Sequence, residues 1–180
     1  MDLLAQVLVN GILLGGLYAV MALGLALVWG VLNIVNLAHG AFIMLGGYLA
    51  WHLYHLAGID PFLGLPIVAV VMFALGYVVQ RGLLNLVVRA PMFNTLLITF
   101  GLEVVLSYCA QLAFTADFRT INPPYVGNNV AIGPVVLPMA RLAAFAIALA
   151  LTLGMWVFLL RTRLGRAIRA TAQNLVAARL

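Results

Sequence analysis

Chemistry has few places to sit in this chain. The acids are Asp2, Asp60, Glu103 and Asp117. The nine bases are all arginine (residues 81, 89, 119, 141, 161, 163, 166, 169 and 179), and the histidines are His39, His52 and His55. Ser107 is the only serine and Cys109 the only cysteine. Without a lysine there is no phosphate-binding loop of the GxxxxGK[ST] type. One cysteine allows neither an intrachain disulfide nor a Cys–His metal framework, and Cys109, inside an apolar run, reads as a small buried hydrophobe. His52 and His55 stand one helical turn apart with only Asp60 nearby, too few ligands for a metal, and read as interfacial side chains. No catalytic centre, metal site or cofactor is expected. Three features remain: Glu103, the polar run holding Asn33, Asn36, His39 and Gly40, and the basic segment 161–180.

The elements that must position these residues follow from composition. Hydrophobic residues make up 66% of the 180 and charged residues 7%, against roughly 45–50% and about 25% in an average globular protein. So little charge cannot cover a water-facing surface, and the chain reads as an integral membrane protein. The formal net charge of +5 resides mainly in a short tail, which points to membrane topology rather than nucleic acid. The start, MDLLAQ, opens on an acid, and the apolar run behind it far exceeds a signal core of about 7–15 residues, so it reads as retained.

Residues 3–59 contain no Asp, Glu, Lys or Arg. A membrane-spanning helix needs about 20 residues, so this stretch predicts two spans, 4–30 and 40–56, joined through VLNIVNLAHG. Further spans are expected at 61–80, 92–114 and 139–160. Arg81 and Arg89 bracket a short polar connection, and the Pro-, Gly- and Asn-rich stretch 115–138 reads as an external loop. The fold expected is an all-α polytopic bundle of about five spanning helices: a transmembrane domain over 1–160, then a cytoplasmic segment over 161–180. Seven arginines fall on one side of this arrangement (81, 89, 161, 163, 166, 169 and 179) and two, Arg119 and Arg141, on the other with Asp2, Asp60 and Asp117. The arginine-rich side is expected to be cytoplasmic, placing the N-terminus outside and the C-terminus inside.

Against this frame the polar residues acquire meaning. Asn33, Asn36, His39 and Gly40 are costly against lipid. They either bend a helix beside a pathway or form a corner solvated by headgroups. Glu103 has uncharged residues over 90–102 and 104–116. An acid at that depth costs about 2.5–3.5 kcal/mol on insertion scales and turns toward a protein interior. It lines a pathway, or it is a protonated or hydrogen-bonded structural group, the reading favoured because every arginine lies at an expected helix end. Gly11 and Gly15 form a small-xxx-small pair suited to close helix packing. On a helical wheel the tail sets Leu164, Ile168, Thr171, Ala172 and Leu175 opposite Arg163, Arg166, Arg169 and Gln173. Such a helix either lies on anionic lipid or is offered to a cytoplasmic partner.

Two stretches resemble a known family. GLYAVMALGLALVWGVLNIVNLAHGAFIMLGGYLA (16–50) is similar to the signature region of branched-chain amino acid ABC transporter permeases, and TRLGRAIRATAQNLVAARL (162–180) to the segment through which those permeases meet their ATPases. The resemblance implies a bacterial inner-membrane importer of two permease subunits, two ATP-binding subunits and a periplasmic or lipid-anchored substrate-binding protein. Asn36, Ala38, His39 and Gly40 would then belong to the polar signature. Gly165, Arg166, Arg169, Ala170, Thr171, Ala172 and Asn174 would belong to the coupling segment. Family members continue past that segment with further membrane helices, so these 180 residues read as C-terminally truncated and the segment as incomplete. Two rival readings are an ion-coupled transporter or channel using Glu103, and a non-transporting membrane scaffold.

Overall fold

The computed structural model describes residues 2–32, 34–87, 91–115, 117–133 and 135–173. Asn33, Arg89, Asn174 and Arg179 fall outside the described residues. The elements are helices α1 (Asp2–Leu32), α2 (His39–Ala57), α3 (Pro61–Val79), α4 (Asn85–Val87), α5 (Met92–Phe114), α6 (Met139–Arg161) and α7 (Arg163–Gln173), with a hairpin of β1 (Asn129–Ile132) and β2 (Val135–Pro138). They divide into two compact units, one of Met1–Val31 with Pro123–Leu180 and one of Leu32–Asn122.

In the first unit the side-chain amide of Gln6 acts like a piece of strand edge. Its Nε2 donates to the Val136 carbonyl at 2.9 Å, and its Oε1 accepts from the Val136 N–H at 2.8 Å. This ties α1 to β2, which pairs antiparallel with β1 from Asn129↔Pro138 to Ile132↔Val135. The hairpin and a 3₁₀ turn at Pro124–Gly127 are ordered structure inside the stretch expected to be loop. Further along α1, the Phe145 ring of α6 sits against Gly16, where a Cβ would collide with it. Gly11 and Gly15 meet nothing within 4 Å. One close approach within this chain therefore falls at Gly16.

In the second unit, glycine and proline set the corners. Gly58 leaves α2 in the left-handed conformation, φ 64°, that closes many helices. Asp60 then caps α3 through Oδ1, accepting from the Phe62 N–H at 2.9 Å, with Pro61 at the first helical position. The connection expected after residue 80 is instead helical. A π turn over Gln80–Leu84 and α4 extend α3, and Arg81 donates to the Tyr77 hydroxyl at 2.8 Å.

Four helical stretches among the described residues are long and apolar enough to cross a membrane: Leu3–Leu32, Pro61–Leu84, Met92–Phe114 and Met139–Arg161. The 19-residue α2 has comparable length, but His39, His52 and His55 dilute its apolar character. The chain is thus an all-α, multi-pass membrane protein, with four clear spans where about five are expected. Large apolar side chains such as Leu3, Val70, Phe73 and Leu112 are exposed along these helices, as lipid-facing surface is. Cys109 is exposed too, correcting the expectation of a buried position. In lipid an apolar helix face gains little from burial, so a small thiol is tolerated there.

Candidate functional site

The break between α1 and α2 is a built corner. Asn36 accepts from the Ala38 N–H through Oδ1 at 3.2 Å, and its carbonyl accepts from the His39 N–H at 3.2 Å. This local bonding gives backbone groups at the start of α2 partners that the helix itself does not supply. Ile34 and Ala38 are buried on either side of it. From α5, the Thr99 hydroxyl lies 3.1 Å from both the Val35 carbonyl and its own helix's Leu96 carbonyl, sharing one proton between them. Thr95 and Thr99 are the buried polar residues among those described. Thr99 pins α5 to the break, while the Thr95 hydroxyl donates to the Met92 carbonyl of its own helix at 2.7 Å. Sequence reasoning passed over them because threonine in an apolar helix gives no signal of its partner.

Above that pin, α2 and α5 border an open recess of ≈ 430 Å³ whose lining includes Gly40, Ala41, Met44, Phe100, Glu103 and Ser107. Gly40 and Glu103, far apart in sequence, therefore face one space. Ser107 donates to Glu103 Oε1 at 3.0 Å from one helical turn away, so the acid has a hydrogen-bonded partner of its own. Asn36 and His39 stay at the corner.

A second recess, ≈ 450 Å³, lies toward the C-terminal end of α2 and shares Met44 with the first. Gly40, Ala41, Met44, Gly47, Tyr48 and Trp51 recur at helical spacing, so one stripe of α2 lines both. Here the chain leaving α5 folds back. Thr115 adopts φ 65°, ψ 171°, a region only glycine enters readily, at a cost of about 1–3 kcal/mol. Its hydroxyl donates to Asp117 Oδ2 at 2.8 Å, while Arg119 donates to the Phe114 carbonyl at 2.6 Å and stands 4.4 Å over the Trp51 ring. Trp51 in turn stacks on His55 at 4.2 Å, and Tyr48 on Phe114 at 4.6 Å. His52 and His55 each direct Nδ1 at the carbonyl four residues back, and no cluster of three metal-binding side chains occurs among the described residues.

The junction of α6 and α7 is the other constructed feature. Thr162 serves both helices. Its hydroxyl donates to the Phe158 carbonyl at 2.7 Å, ending α6, and accepts from the Gly165 N–H at 2.9 Å, capping α7. Gly165 is buried, and a Cβ on it would collide with the backbone of Phe158 and Leu159. Beyond it α7 is strongly two-faced, with Arg166, Arg169, Ala170 and Ala172 exposed, and Leu164 exposed as well. Of the expected coupling residues, Gly165 thus holds the corner, while Arg166, Arg169, Ala170 and Ala172 form an open surface. Sequence reasoning missed Thr162, whose one signal is its residue type, threonine being favoured just ahead of a helix.

Comparison with known proteins adds a second line. A family described as branched-chain amino acid transport system / permease component matches residues 7–180. The chain is 30% identical over 182 residues to the high-affinity branched-chain amino acid transport system permease protein BraD of Pseudomonas aeruginosa, covering 94% of this chain and 59% of that protein. It is 27% identical to the probable branched-chain amino acid transport permease protein LivH of Methanocaldococcus jannaschii, with 94% and 55% covered. It is likewise 27% identical to the high-affinity permease protein LivH of Escherichia coli, with 97% and 61% covered. The chain thus spans somewhat over half the length of these relatives. No solved structure matches it.

Proposed function

This chain belongs to the branched-chain amino acid transport permease family, and from that premise we propose that it is a membrane-spanning subunit of an ATP-driven importer. Its cargo is a branched-chain amino acid or a related small amino acid or amide, and its membrane is the bacterial inner membrane. Two ATP-binding subunits, a second permease subunit and a substrate-binding protein complete the machine, so the chain needs no ATPase site of its own. The arginine-rich side is cytoplasmic, with the N-terminus outside.

One observation carries this reading. The α6–α7 corner joins a membrane helix to an exposed amphipathic helix through Thr162 and a glycine packed on backbone. A push on the Arg166, Arg169 and Ala170 surface is transmitted to α6 instead of being absorbed by a loose joint. Closure of the ATPases would in this way bias the helices between outward- and inward-open packings, each favoured by different contacts. The stripe of α2 that lines both recesses supplies the pathway, mostly apolar to suit an aliphatic side chain.

The test is co-purification with the system's ATPase subunits in mild detergent. Arg166→Glu with Arg169→Glu should abolish association and uptake, since like-charge or unpaired contacts at an interface cost several kcal/mol, a loss of about a hundredfold or more. Unchanged association and uptake in that variant would overturn the reading. Tail binding to anionic vesicles with no protein partner would favour a scaffold.

The Glu103–Ser107 pair in the recess favours a second reading, ion-coupled transport. Glu103→Gln separates the two, because the amide oxygen still accepts from Ser107 while the titrating group is gone. ATP-driven import predicts uptake within about tenfold of the parent, the scale of one altered hydrogen bond. Ion coupling predicts complete loss and indifference to ATP.

A further inference from the structure

The recess at the C-terminal end of α2 holds two opposite charges that none of the steps above employs. We propose that it is a reception site for a free amino acid with an apolar side chain, Asp117 taking the ammonium group and Arg119 the carboxylate. The proposal rests on the import reading and names where that cargo enters this chain.

Asp117 and Arg119 lie two residues apart on one short irregular segment and line one recess. Each is anchored by a neutral group, Asp117 by the Thr115 hydroxyl and Arg119 by the Phe114 carbonyl. The anchors leave capacity over: a carboxylate has two acceptor oxygens and a guanidinium five N–H donors. A ligand that answers both groups carries one positive and one negative charge, and an α-amino acid carries both on a single carbon. The remaining wall is largely apolar and aromatic, with Met44, Tyr48, Trp51 and Ile121, which suits an aliphatic side chain. The recess is open to one side, and its ≈ 450 Å³ leaves room for a small molecule.

Two further observations point to the same place. Thr115 sits in a glycine-only backbone region, and its hydroxyl is the group that fixes Asp117. Strain of this kind persists where the surroundings over-determine it, and it clusters at ligand sites. The recess also borders, at Met44, the one lined by Gly40 and Glu103.

The experiment uses the full chain in phosphatidylcholine nanodiscs with Trp29→Phe and Trp156→Phe, leaving Trp51 as the reporter. L-leucine should change its fluorescence saturably. Leucine amide, without the carboxylate, and 4-methylpentanoate, without the ammonium, should bind about ten- to a hundredfold more weakly, the scale of a lost charge-assisted hydrogen bond. Arg119→Gln should bind leucine no better than leucine amide, and Asp117→Asn no better than 4-methylpentanoate. A merely structural role would weaken all ligands together. No response to leucine, or parental discrimination in both variants, overturns the proposal. A response to phosphatidylethanolamine in place of leucine overturns it too, assigning the recess to a lipid headgroup. The signal needs no ATPase, so the site stands or falls apart from uptake. Normal uptake by both variants with a silent Trp51 removes the site and leaves the import reading intact.

Discussion

Gly165→Ala should abolish uptake while leaving the protein in the membrane with its helical content unchanged. The added methyl has nowhere to go, because its neighbours would be the Phe158 carbonyl and the backbone of Leu159. Overpacking against side chains costs about 1–3 kcal/mol when they can rotate aside. Backbone in the last turn of a membrane helix cannot, so α7 itself must swing away. That movement breaks the Gly165 N–H bond to Thr162 and displaces Arg166 and Arg169 from the positions where a partner would meet them. The spans that hold the chain in the bilayer are untouched, so insertion and circular dichroism serve as controls. Thr162→Ala should be milder, costing about 0.5–2 kcal/mol as a lost cap, and Thr162→Ser should restore the parental behaviour. Uptake and ATPase co-purification measure the series. Full activity in Gly165→Ala would mean that the corner need not be rigid, and coupling through it would fall.

What the sequence made legible here is what long apolar runs can express. Charge-free stretches separated by Asp60, by Pro91 and by the Pro–Asn–Gly segment announce helices on their own, because lipid leaves the backbone no alternative. The same simplicity hides the joints. A π turn over Gln80–Leu84 extends α3 through residues whose glycine, asparagine and arginine suggest a connection. The β hairpin lies in a proline-rich stretch and is held by Gln6 from the far end of the chain, a pairing no local window contains. The site was legible in pieces. Gly40 and Glu103 stood out individually by polarity or depth, but only packing of α5 on the break, through Thr99, brings them to one recess. Asp117 and Arg119 counted solely as charges for topology. Their proximity to Trp51 depends on an unusual backbone conformation at Thr115, which propensities disfavour and so cannot foretell.

The stripe on α2 makes its own demand. Gly40→Phe should insert, fold and bind the ATPases like the parent, and should transport nothing. Gly40 is exposed to the recess, and a Cβ on it meets no atom within 4 Å. Phenylalanine is also a better helix residue than glycine by a few tenths of a kcal/mol, so the first turn of α2 does not suffer. The ring must then occupy part of the ≈ 430 Å³ opposite Phe100 and Glu103. Helices that alternate between packings cannot readily relieve this, since close-packed interiors switch between discrete arrangements and do not stretch around an obstacle. Gly40→Ala, which adds one methyl to open space, should remain active. Gly76→Phe supplies the matched control: its Cβ also meets nothing within 4 Å, and it lines neither recess, so uptake should persist. Labelled leucine uptake in vesicles ranks the three. Transport by Gly40→Phe at the level of Gly76→Phe would place the pathway elsewhere, for the cargo and the ring cannot share one groove.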